Sequence, residues 1–232
     1  MPTLTLAEPL STRGRIGRAA HVPAPVTITV AHNKGGVAKT TSTFVLGKHL
    51  SRSLRVEMVD LDRTSYLTEV VAQLAPRGDF ILTPRLWLRA DEPRPADVIL
   101  IDSEPAREQY AREALLRADY VLIPVPPEPL CIKGLELMLE VVEAVRTDPQ
   151  GGNPFLQVLG VLPTLYDQRW PNHRAWIEEI KAIGAERRMR VFPPIPRRQS
   201  YTTLSMAGQD YAPVADAVRA LVRDARARAH HG

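Results

Sequence analysis

The sequence predicts an α/β fold, a single domain built on a mostly parallel twisted sheet with helices on both faces. Three observations predict it. Short runs rich in Val and Ile alternate with helical stretches along most of the chain. The run Asp97–Asp102 (DVILID) is apolar at nearly every position, as expected of a strand covered on both faces. The chain has 232 residues, 44% apolar and 24% charged, which is enough to bury a core without disulfide or metal staples.

Residues 1–25 carry Arg13, Arg15 and Arg18 among prolines and small residues, with no sustained period, and read as a loosely ordered basic tail. A solvated extension is the first reading of that tail and an arm touching nucleic acid the second. The domain itself is expected over 26–232. Val26–Ala31 reads as the first strand, followed by a glycine-bearing loop and a helix from Lys39 to about Leu50. Arg55–Asp60 is the second strand and 65–74 a helix. Residues 76–96 are broken by Pro76, Pro84, Pro93 and Pro95 and yield no element. Strand 97–102, helix 106–117, strand 120–125, helix 132–146 and strand 155–162 continue the alternation. A helix near 172–187, a short extended piece at 191–195 and a last helix near 214–228 close the chain. Alternation at this spacing means right-handed βαβ units.

Composition excludes several classes. One cysteine, Cys131, leaves no intrachain disulfide and no multi-thiolate zinc site, leaves too few thiols for a four-cysteine cluster unless subunits share it, and fits a reducing compartment. The six histidines show no metal-ligand spacing. No uncharged apolar run is long enough to span a membrane, and the N-terminus lacks a signal-peptide core. A net charge of +4 permits an anionic partner without requiring one.

The chemistry concentrates after the first strand, in His32-Asn33-Lys34-Gly35-Gly36-Val37-Ala38-Lys39-Thr40-Thr41. A strand, a tight loop and a helix N-terminus aim successive backbone N–H groups at one point, where the helix start adds partial positive charge. Gly35 and Gly36 let the backbone approach a phosphate. Lys39 would reach the β- and γ-phosphates, the Thr40 hydroxyl would ligate Mg²⁺, and Thr41 would bond a phosphate nearer the base. Asn33 and Ala38 stand where the usual P-loop has glycines. Asp60 and Asp62 end the second strand and Asp102 ends strand 97–102, so all three are expected at the carboxyl edge of a parallel sheet, beside the loop.

With Lys34 five residues before Lys39, the loop resembles the deviant Walker A motif, K-G-G-x-x-K-[ST], of the ParA/MinD family of ATPases. Asp60-Leu61-Asp62 is similar to that family's D-x-D segment, although Arg63-Thr64 follow where Pro-Gln is usual. Val98–Asp102 resembles its Walker B strand, continued here by Ser103-Glu104-Pro105. The stretches 118–128 and 160–169 and the segment Pro194–Arg197 extend the likeness over roughly 26–212. The resemblance implies a P-loop NTPase fold of the SIMIBI type, with seven or eight strands. It also implies ATP and Mg²⁺ as cofactors, Asp60 and Asp102 holding the metal through water together with Thr40, and Asp62 orienting the attacking water. The residues Lys34 to Thr41 would hold the triphosphate, and Ile195 and Pro196 would pack on adenine. Lys34, with no obvious task in its own subunit, would cross to the partner's phosphates in an ATP-dependent homodimer, much as an arginine finger does.

Within the family the sequence points to a small ParA-type partition ATPase. The ATP dimer would bind DNA non-specifically in a cytoplasmic, nucleoid-associated state, and a ParB-like partner would stimulate hydrolysis. Lys181, Arg187, Arg188, Arg190, Arg197, Arg198, Arg219 and Arg223 are the candidate phosphate contacts, with a solvated basic face as the alternative. The last helix has too short an apolar stripe for the membrane anchor of a MinD-like cell-division regulator. A positioning ATPase for a protein cargo and a binding module with weakened hydrolysis remain as competing readings.

Overall fold

In the computed structural model, residues 24–62, 66–74, 81–84, 95–103, 109–202 and 208–231 are described. The tail expected over residues 1–25, up to residue 23, and the departures at Arg63-Thr64 and Glu104-Pro105 lie outside them. Six strands form one sheet: β1 (Val26–Val30), β2 (Val56–Asp60), β3 (Ile81–Pro84), β4 (Val98–Asp102), β5 (Tyr120–Val125) and β6 (Gln157–Pro163). Their spatial order is β3-β2-β4-β1-β5-β6 and every pairing is parallel. The helices are α1 (Lys39–Leu50), α2 (Tyr66–Leu74), α3 (Gln109–Arg117), α4 (Pro129–Thr147), α5 (Pro171–Glu186), the short α6 (Gln199–Thr202) and α7 (Ala212–His231), with a 3-10 turn at Gln209–Tyr211.

Strand residues alternate between two cores, as a period of two requires. Ile28, Val30, Val98, Leu100 and Leu122 pack under α1, α2 and α7 with Phe44, Leu46, Leu67 and Val218. Val121, Ile123 and Val125 face Leu135, Met138 and Ile177 of α4 and α5, while Ile99 and Ile101 meet Ala114 of α3. The near-continuous apolar run of β4 is thus covered on both sides, and all five of its residues are buried.

Among the described residues six strands pair in the sheet, where the resemblance implies seven or eight. The extended piece expected at 191–195 does run beside β6, joined to it by the isolated bridge Val161–Val191 and by the Phe192 and Ile195 N–H groups, which donate to the Val161 and Pro163 carbonyls at 2.9 and 2.8 Å, with a second bridge, Tyr166–Pro196, just past the strand. Pro193, Pro194 and Pro196 have no N–H to donate to a ladder, which prevents a continuous strand. β3 falls in the stretch where the prolines gave no element. It is an edge strand that ends on Pro84, a position where a missing donor is tolerated.

α4 begins three residues earlier than expected, with Pro129 in its first turn, where a missing N–H costs nothing. The apolar stripe of α7 is core: Val214, Ala215, Val218 and Val222 are buried against the sheet. Among the described residues no helix is long and apolar enough to cross a membrane. Arg226 of α7 and Arg55 before β2 both pair with Asp97, at 2.9 and 2.7 Å, and together hold the carboxyl down to about 2 although its own burial opposes this. These pairs tie the last helix to the amino edge of the sheet.

Strand order reverses at β1. Chain order runs outward from it to β2, returns through β4, and then continues on its other side to β5. A crevice therefore opens at the carboxyl ends of β4, β1 and β5.

Candidate nucleotide-binding site

The loop from His32 to Ala38 occupies that crevice. Gly36 (φ 74°) and Ala38 (φ 69°) both lie in the left-handed region. A Cβ added at Gly35 or Gly36 would meet nothing within 4 Å, so the loop is bare on its outer side, where a phosphate must approach. Neighbouring strand ends hold the loop. The Thr164 hydroxyl at the end of β6 donates to the Val37 carbonyl at 3.0 Å, and Ser103 after β4 donates to the Val30 carbonyl at 3.0 Å.

Ala38 forms the N-cap of α1 without a side-chain cap and with the left-handed strain of a Cβ. Ala38→Gly should therefore raise stability in urea by about 1 kcal/mol, because glycine adopts this conformation freely. An unchanged or lowered midpoint would show that the strain has been absorbed elsewhere.

Lys39 is nearly buried. Its Nζ donates to the Lys34 carbonyl at 3.1 Å, closing the loop from inside. Burial lowers its pKa, while Asp102 and then Asp62 pull it back up, so these carboxylates lie near the ammonium as expected. Asp102 is fully buried and both its oxygens lack a hydrogen-bond partner. Burial pushes its carboxyl up to about 7. Asp60 and Asp62 add to the rise, whereas Thr40 and Lys39 oppose it, the Thr40 hydroxyl lying near without completing a bond. An orphaned buried carboxylate beside a threonine hydroxyl at a phosphate loop is a donor set that suits Mg²⁺. That ion takes one or two protein oxygens and completes its shell with water and phosphate.

Asp60, expected to hold the metal through water, has both its oxygens engaged within the chain. Its Oδ1 accepts from the Asp62 N–H at 3.1 Å, and its Oδ2 accepts from the Thr68 N–H and hydroxyl at 2.9 and 2.7 Å. It thus orients the chain at Asp62 and caps the first turn of α2. Among the described residues no three His, Cys, Asp or Glu side chains converge on one cation position.

Lys34 diverges from Lys39. Its Nζ lies 3.7 Å from the Cys131 Sγ in the first turn of α4, and that thiol lies 3.8 Å from Glu128. Its backbone N–H donates to Nδ1 of the fully buried His32 at 3.0 Å. Because Nδ1 accepts, Nε2 carries the proton and donates to the Cys131 carbonyl at 3.2 Å. Burial, with Lys39 and Lys34 adding to it, lowers the His32 pKa to about 4 and keeps the ring neutral. α4 approaches this closely only because residue 134 is glycine: a Cβ there would sit 2.6 Å from His32 Cε1. Sequence reasoning missed His32 because its partner lies 99 residues away.

A cavity of ≈ 120 Å³ adjoins the loop, lined by Ala38, Thr41, Thr164, Ile195, Pro196 and Tyr211 among others. Ile195 and Pro196 were expected beside the base and do reach this wall. Tyr211, whose hydroxyl pairs with Ser42 at 3.1 Å, was not foreseen.

The candidate DNA contacts do not form one patch. Arg197 and Arg198 line this cavity at the carboxyl edge, and Arg198 pairs with Asp210. Arg187, Arg188 and Arg190 lie at the amino ends of β5 and β6, on the opposite edge. Lys181 pairs with Glu178, and Arg219 is held by Asp216, Ser53 and the His49 carbonyl.

A strand-to-helix cradle of bare amides with a buried lysine is shaped for phosphate, and the class it defines is that of P-loop nucleotide-binding domains. Residues 28–211 match the CobQ/CobB/MinD/ParA nucleotide binding domain, and the chain belongs to that family as a ParA-like P-loop ATPase. It is 29% identical over 177 residues to the chromosome-partitioning ATPase Soj of Thermus thermophilus, covering 61% of this chain and 70% of Soj. It is 25% identical to the maintenance of carboxysome distribution protein A of Gloeothece citriformis, over 75% of this chain and 85% of that protein. Among solved structures, cobyrinic acid a,c-diamide synthase from Mycobacterium smegmatis, with bound ADP and magnesium, superposes with a TM-score of 0.66 at 27% identity, covering 83% and 93% of the two chains. Apo McdA of Cyanthece shares the fold, with a TM-score of 0.67 at 22% identity over 87% and 99%.

Proposed function

We propose that the protein is a Mg²⁺-dependent ATPase of DNA partition. In this reading ATP closes a homodimer that binds DNA non-specifically, and hydrolysis, stimulated by a ParB-like partner, resets it. The observation that carries the reading is the divergence of the two loop lysines. Lys39 turns inward to the phosphate cradle, whereas the Lys34 ammonium lies against α4 and outside its own cradle.

In the proposed reaction the loop amides and Lys39 bind the β- and γ-phosphates of ATP, and Thr41 holds a phosphate nearer the base. Thr40 and Asp102 would hold Mg²⁺, which would supply positive charge against the charge developing on the transferred phosphate. Asp62, oriented through Asp60, positions the water that attacks the γ-phosphorus. ADP and phosphate leave. Lys34 supplies charge in trans. The exposed residues Lys181, Arg187, Arg188, Arg190, Arg197, Arg198 and Arg223, with the partly buried Arg219, supply salt-dependent DNA contacts, and the protein would be cytoplasmic and nucleoid-associated.

Sedimentation with and without Mg-ATP tests the core of this reading. Lys34→Ala should bind ATP yet remain monomeric, whereas Lys39→Ala should lose nucleotide affinity by a factor on the order of 10² or more. A Lys34→Ala protein that still dimerises with ATP refutes the trans role. The likeness to the carboxysome distribution protein favours a second reading, a positioning ATPase whose cargo is a protein assembly. A mobility assay with ATP, ADP and no nucleotide bears on both readings. DNA binding indifferent to nucleotide would remove the switch from each.

A further inference from the structure

A groove of ≈ 790 Å³ lies at the edge of the sheet away from the nucleotide cradle. Tyr120 and Gln157, the first residues of β5 and β6, lie along it, with α4 and α7 as two of its walls. Its floor is apolar, formed by Leu139, Val158, Met189 and Leu221, all only partly buried. Its rim is basic. Arg187, Arg188 and Arg190 follow α5 in one tight turn, and none has a carboxylate partner among the described residues. The groove's fourth arginine, Arg146, is already engaged by Glu143 at 3.5 Å and by the Leu156 carbonyl.

The turn is built rigidly. Arg188 adopts a left-handed conformation (φ 52°), the Met189 N–H donates to the Gly184 carbonyl at 2.7 Å, and the Val161 N–H of β6 donates to the Arg190 carbonyl at 2.8 Å. The Arg190 guanidinium lies 5.6 Å from the Phe192 ring centroid. An ordered backbone turn therefore carries three exposed arginines, with no carboxylate partner among the described residues, beside an uncovered apolar floor, so the backbone there needs no ordering on binding.

We infer that this groove docks an acidic segment of a partner protein, one that carries Asp or Glu flanking bulky apolar side chains. The arginines would pair with the carboxylates while the floor takes the apolar residues. The chain's own N-terminal segment is the wrong occupant, since it sets Arg13, Arg15 and Arg18 against a single acid, Glu8. Duplex DNA would satisfy the arginines but leave the floor uncovered. The inference stands on the groove, needs neither nucleotide nor the phosphate loop, and takes Arg187, Arg188 and Arg190 away from the DNA contacts.

The probe is a fluorescein-labelled amphipathic peptide of about four helical turns, with glutamates on one face and leucines on the other, titrated by anisotropy without nucleotide or DNA. Binding with a Kd on the order of 10 μM is expected. An Arg187→Gln/Arg190→Gln double variant should weaken it about tenfold or more. Ala220→Glu, which adds an acid to the α7 wall, should weaken it similarly, with thermal unfolding of both variants unchanged. Equal binding of a peptide with serine for leucine would reduce the groove to plain electrostatics and overturn the inference. So would absence of binding, or indifference to both variants. Uptake of duplex DNA alone, lost in the arginine variant, would assign the groove to nucleic acid instead.

Discussion

Asp102→Asn is expected to stabilise the nucleotide-free protein while removing Mg²⁺-dependent turnover. The wild-type carboxyl is buried, lacks a hydrogen-bond partner and is pushed up to about 7. In the unfolded chain it titrates near its ordinary 3.8, so between the two values the native state holds a proton that the unfolded state has released. Stability therefore falls as pH rises through that window, by roughly 2–4 kcal/mol in total. Asparagine carries no charge to bury and escapes this loss. Urea denaturation should show the variant ahead by that margin at pH 8 and level with wild type near pH 4. Mg-ATP should reverse the order, because the ion compensates the carboxylate and has no such partner in the amide. Turnover should fall by a factor on the order of 10³. Parallel pH–stability curves for the two proteins would show that Asp102 is not the strained acid of the site.

His32→Ala should be the most damaging change outside the phosphate contacts. It leaves the Lys34 N–H and the Cys131 carbonyl unpaired and opens an imidazole-sized cavity between the loop and α4. The expected loss is about 3–4 kcal/mol. Nucleotide affinity should also fall, by a factor on the order of ten, because the loop loses its anchor at the residue that starts the cradle. The pH dependence separates the ring from its bulk. A histidine whose folded pKa is about 4 against 6.5 unfolded costs stability as pH drops through that interval, since the unfolded state takes up the proton first. Wild type should lose stability across this window and the variant should lack that component. Calorimetry between pH 7 and pH 4 measures both, and a variant as pH-sensitive as wild type would discard the neutral-ring tether.

The phosphate cradle could be read from the sequence because its information is local. Strand, glycine loop and helix are contiguous, and Lys34, Gly35, Gly36, Lys39 and Thr40 sit within seven residues of one another. The carboxylates were legible for a related reason. A parallel sheet brings every strand's last residue to the same edge, so Asp60, Asp62 and Asp102 had to arrive near the loop. Their individual tasks were not legible, because which oxygens Asp60 spends on Thr68 depends on where α2 begins after the turn.

By itself, then, the sequence determined the alternation of elements, the parallel sheet and the location of the phosphate loop, all of which follow from short-range periodicity and backbone sterics. Only the tertiary structure decided what depends on contacts between distant segments. These include the docking of His32 and Lys34 on α4, the seat of Tyr211 against Ser42, and the separation of the late arginines onto opposite edges of the sheet. Such contacts are set by the packing of whole helices, where one missing Cβ, as at Gly134, fixes how closely two elements approach.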